Sequence, residues 1–102
     1  MKVIKQLSEM ISEEIADADK YARCALTYKE SNPSLADLFY RLSGEEMNHM
    51  NLLHNEAVTI IEKYRREHGE PPVAMMAVYD YLHEKQIDAA AEVKTKQAMF
   101  KS

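Results

Sequence analysis

The chain has 102 residues, 46% of them hydrophobic and 29% charged, with a net charge of −4 at neutral pH and a pI near 5.5. That length makes one domain, residues 1–102, with room for one core. The acidic balance, without a basic stripe, argues against nucleic acid as a partner. Two glycines and three prolines, with Leu, Ala, Glu, Lys and Met well represented, predict an all-α chain. A single cysteine, Cys24, forms no internal disulfide, which fits a reducing compartment. No signal peptide is visible and no apolar run is long enough to span a bilayer. The expected location is therefore cytoplasmic, with no membrane partner.

The first predicted helix covers residues 3–30. Its stripe runs Ile4, Leu7, Ile11, Glu14, Ala18, Tyr21, Ala25, Tyr28, in alternating steps of three and four, with Glu14 as the only ionisable member. Ile15, Ala22 and Leu26 widen the face, so this helix meets more than one neighbour. Ser31-Asn32-Pro33-Ser34 breaks the pattern: Asn32 suits an N-cap and Pro33 the first helical position, and a tight antiparallel turn follows.

The second predicted helix covers residues 33–68 along Leu35, Phe39, Leu42, Glu46, His49, Leu53, Glu56, Ile60 and Tyr64. A second row with Ala36, Tyr40, Met47, Met50, Ala57 and Ile61 implies burial on two sides. Gly69, followed by Pro71 and Pro72, stops it. The third predicted helix covers residues 73–100, with its best stripe at Met75, Val78, Leu82, Gln86, Ala89, Val93, Lys96 and Phe100. That stripe turns Asp80 and His83 away from the core, and the Lys-rich last turns are expected to fray.

Glu46 and His49 share a helical face, and both fall on an apolar seam where unpaired charge is costly. Glu14 lies eighteen residues before Asn32, Glu46 fourteen after it and His49 seventeen after it. At ~1.5 Å per residue these heights above the turn are about 27, 21 and 26 Å, so an antiparallel hairpin brings the three into one layer. A Glu from one helix and a Glu-x-x-His from its neighbour form half of a carboxylate-bridged dimetal site of the four-helix-bundle kind. The remaining helix carries no second set. A twofold homodimer of hairpins supplies the other half, giving four glutamates and two histidines. Carboxylates bridge two divalent irons about 3.5–4 Å apart, and a neutral imidazole on each suits Fe(II). Open positions then admit dioxygen or peroxide for oxidation to Fe(III).

With these residues the chain resembles the ferritin-like superfamily, and within it the short members with one hairpin per chain, such as encapsulated ferritins. The rubrerythrin-type pattern has a helix-one Glu seven residues before a Tyr, as in Glu14 and Tyr21. Its second helix carries Glu-Glu-x-x-His, as in Glu45-Glu46-Met47-Asn48-His49. The resemblance covers residues 8 to 56. It implies Glu14, Glu46 and His49 as metal ligands and catalytic residues, Tyr21 beside them, and a dinuclear iron cofactor shared between two chains. It also implies ferroxidase-type oxidation of Fe(II) by a homodimer or higher homo-oligomer. The chain departs from the family in three respects: it has no second Glu-x-x-His, no four-cysteine iron module and no hydrophobic tail of the kind that targets cargo to encapsulin shells.

Two other readings of the same trio stay open. One is a site holding manganese or zinc without iron oxidation. The other is a metal-free helical oligomerisation module, in which a buried polar layer sets register. Glu45 reads as a rim residue. Glu56, about 10 Å beyond His49 along the axis, reads as a salt-bridge or oligomer contact, with an iron access path as the functional alternative. Asp80 and His83 complete a monomeric site only if the third helix closes the bundle. His54 and His68 read as solvated, Cys24 as a small core filler, and Gly44 as either a point of close helix approach or a tolerated cost.

Overall fold

Three helices and no strand account for the chain in the computed structural model, which describes residues 1–102. They are α1 (Lys2–Tyr28), α2 (Pro33–His68) and α3 (Val73–Lys101). Both connections are short and have the expected chemistry. Asn32 caps α2, its side chain accepting from the Leu35 amide at 3.2 Å, with Pro33 opening the helix where no amide hydrogen is needed. Gly69 ends α2 at φ 78°, a left-handed conformation that a side chain resists. Gly44 has no such role. A Cβ built there meets nothing within 4 Å, so no close helix approach depends on it.

α1 is the central member. α2 returns antiparallel along one side of it, and α3 runs parallel to α1 on an adjacent side. Alanines at the seams, Ala18, Ala22, Ala25, Ala36 and Ala57, are at most 1% exposed and let the axes come close. Three apolar clusters are stacked along the rod: Ile4, Ala57 and Ile61 at one end, Ile11, Ile15, Ala18, Met47, Ala90 and Val93 in the middle, and Ala25, Ala36 and Phe100 at the other end. The rod measures 55 × 20 × 18 Å. Its radius of gyration of 16.3 Å exceeds the roughly 13 Å of a compact domain this size. Only 17 of 102 residues are buried, so much apolar surface faces outward.

Polar side chains set the register of α3. Gln86 donates its amide to the Ser8 carbonyl and hydroxyl and to the Ser12 hydroxyl at 3.0–3.2 Å. Ser43, fully buried, donates to the Ala18 carbonyl at 2.8 Å and accepts from Gln97 at 2.9 Å. One hydroxyl thus ties all three helices.

One expectation about α3 is corrected. Its last turns do not fray: Phe100 is buried, stacks on Tyr40 with centroids 4.9 Å apart, and Lys29 caps the terminal Ser102 carbonyl at 2.9 Å. Its inward face follows most of the best stripe, with Ala90 added and Val78 turned outward. Gln86, Ala90, Val93 and Phe100 are buried, while Val78 is 60% exposed. Gln86 bonds to α1 and Gln97 to α2, contacts that apolar counting does not weigh.

Candidate metal centre

Glu14 is the thirteenth residue of the 27-residue α1, and Glu46 and His49 lie near the middle of α2. The hairpin brings them together: one ligand atom from each lies within 4.8 Å of the other two. His49 Nδ1 is 3.5 Å from Glu14 Oε2 and 3.8 Å from Glu46 Oε2, too long for a good hydrogen bond. The Glu14 and Glu46 side chains are 25% and 20% exposed, and His49 is 53% exposed. The carboxylates thus line the seam and the imidazole forms its outer rim.

The electrostatics are those of a site short of positive charge. Glu46 is held above the usual carboxylate range, first by a hydrogen bond with Glu14, then by burial and by the Glu14 charge, with His49 opposing. Glu14 Oε2 is buried and has no hydrogen-bond partner. A buried acceptor without a donor is costly. A cation between the carboxyls would relieve both the repulsion and the missing contact. Two carboxylates and an imidazole are a suitable donor set for a divalent first-row metal.

No family model, curated protein or solved structure matches this chain. The site is therefore read from its own geometry.

The other candidates fall elsewhere. Tyr21 stacks on Phe39 at 6.2 Å, and Phe39 on Tyr28 at 6.1 Å, so Tyr21 belongs to an aromatic ladder along the seam. Glu45 is exposed and pairs with Arg41 at 3.3 Å, and Glu56 is exposed. Asp80 and His83 do not complete the trio. Asp80 is exposed, and His83 stacks on His54 at 4.8 Å across the α2–α3 seam. That contact also corrects the reading of both histidines as outward-facing. Cys24 is half-buried.

The site lies on the hairpin face away from α3. Glu14 is about 100° or more around α1 from Ser8 and Ile15, which face α3. Around it this face carries apolar side chains that no helix covers: Val3, Met10 and Tyr28 on α1 and Leu38 and Leu52 on α2, each 38–61% exposed. Apart from Tyr28, the sequence stripes omit them. The signal was present, because Leu38, Leu42, Glu45, His49, Leu52 and Glu56 form a second row in α2 at steps of three and four. No helix is long and apolar enough to cross a membrane.

Proposed function

We propose that this chain contributes half of a dinuclear metal centre, that a second copy of its α1–α2 hairpin supplies the other half, and that the completed ferritin-like centre oxidises Fe(II). The observation that carries the reading is the partnerless buried oxygen of Glu14 beside a Glu46 carboxyl pushed toward protonation and the His49 imidazole. Three donors bind one divalent ion incompletely. The apolar row flanking them supports a twofold pairing that doubles the set to four carboxylates and two imidazoles. His49, half-exposed at the rim, becomes enclosed in such a pair.

Within the pair, Glu14, Glu46 and His49 would hold the metals, the carboxylates through oxygen and the imidazole through nitrogen. Bound iron would supply the electrons passed to dioxygen or peroxide. Glu46, held above the usual carboxylate range, would have to be ionised to bind metal, because a ligand must be deprotonated. A metal-free polar layer is the weaker reading, since such a layer normally satisfies its members and this one leaves an oxygen bare.

Metal analysis of anaerobically purified protein, followed by Fe(II) oxidation assays, tests the proposal. The expected stoichiometry is one metal per chain, two per dimer, lost in both Glu14→Ala and Glu46→Ala. Full stoichiometry in both variants would sink it, and bound manganese or zinc without iron turnover would remove the oxidase activity.

A further inference from the structure

The α2–α3 seam has a feature that the metal centre does not use. His54 of α2 and His83 of α3 stack nearly parallel, with centroids 4.8 Å apart and planes 6° apart. Tyr79 extends the stack beyond His83 at 6.0 Å and 4°. Both imidazoles are half-buried. They line a groove of about 310 Å³ whose floor includes Ile11 and Ile15 of α1. At the opposite end of the rod, α3 is fastened by Phe100, Tyr40 and the Gln97–Ser43 bond. Toward its start, the histidine stack joins α3 to α2, next to Tyr79, which packs on the cluster containing Ala57 and Ile61 of α2.

We propose that the His54–His83 stack is an acid-sensitive latch, whose protonation drives the first half of α3 away from α2 while the Phe100 end stays docked. Two imidazoles stack face to face when at least one is neutral; two imidazolium rings at this distance repel. Few surrounding charges oppose the repulsion. α1 contributes only the apolar Ile11 and Ile15 to the groove, α2 contributes His54 as its only titratable group, and α3 contributes His83 and Lys94. Lys94 adds positive charge. Asp80 and Glu84 are exposed on α3, and Tyr79, pushed up by burial and by Asp80, stays neutral.

His54 is pushed below its usual value of 6.5, first by burial and then by His83. A base held below its unfolded value stabilises the closed form fully above about pH 6.5, and that contribution falls as the pH drops below it. The latch is therefore shut at neutral pH and opens in mild acid, exposing Ile11 and Ile15.

Amide hydrogen exchange between about pH 7.5 and about pH 5.5, corrected for intrinsic rates, tests this. In the intact chain, protection across residues 79–90 should fall by up to about tenfold at about pH 5.5, one unit below the unfolded value of His54, while Ala22 and Ala25 of α1 keep theirs. His54→Phe and His83→Phe retain flat stacked rings that do not titrate, and each should remove the acid-induced loss. An equal loss in the double variant would overturn the latch. So would a wild-type NMR titration placing His54 at or above 6.5, a measurement that does not depend on the variants folding.

Discussion

Glu46 is a residue whose interests in the metal-free and metal-bound protein run in opposite directions. Its carboxyl is raised by the Glu14 hydrogen bond, by burial and by the Glu14 charge, so the ionised form is disfavoured in the folded chain. An acid raised on folding favours the folded state below its unfolded value, and that benefit is lost as the pH rises through the folded value. Metal-free protein should therefore gain stability on mild acidification from this group, and metal affinity should weaken over the same range. Glu46→Gln keeps the shape and removes the charge. Its metal-free form should melt higher than wild type at neutral pH, yet bind no metal, as differential scanning calorimetry with and without Fe(II) would show. A lower melting temperature in the metal-free variant would mean that the carboxylate is structural.

At the scale of the element, the boundaries were legible where local chemistry decides them. Asn32 with Pro33, and Gly69 with two following prolines, are recognisable without tertiary context, and α2 spans the expected residues. The Glu14, Glu46 and His49 layer was legible as well, because a short turn and a constant rise per residue turn sequence distance into height. What was not legible is which partners the polar residues of α3 find. Gln86 reads as a flaw in an apolar stripe until Ser8 and Ser12 are seen opposite it. The docked end of α3 was hidden for the same reason, since the partners of Phe100 lie some sixty residues or more away in sequence. Gly44 gives a test at this scale. It is an exposed mid-helix glycine with open space around its Cβ position. Gly44→Ala should therefore raise stability by about 1 kcal/mol through helix propensity alone, measured by urea unfolding. A loss would mean that an assembled partner fills that space.

For the whole molecule, the decisive property is slenderness. A rod 55 Å long and about 20 Å across leaves much apolar surface uncovered, and the uncovered row on the hairpin lies beside Glu14, Glu46 and His49. Leu52, 61% exposed, is the member whose alteration least disturbs the monomer. Leu52→Glu should leave helicity by circular dichroism unchanged but shift the sedimentation profile to monomer, and metal should be lost with the dimer. A dimeric Leu52→Glu protein with intact helices would place the pairing surface elsewhere.

Glu14, Glu46 and His49, the proposed ligands, occupy the middle turns of their helices, far from any chain end. Helices open from their ends, and the free energy of local opening rises toward the centre. Fluctuations at Met1, at the Asn32 turn or at the Gly69 bend therefore die out before they reach Glu14 or His49. In the proposed pair, ions would exchange on the timescale on which the outer face is uncovered, so the residence time of a bound metal would report the lifetime of the pair rather than the flexibility of the chain.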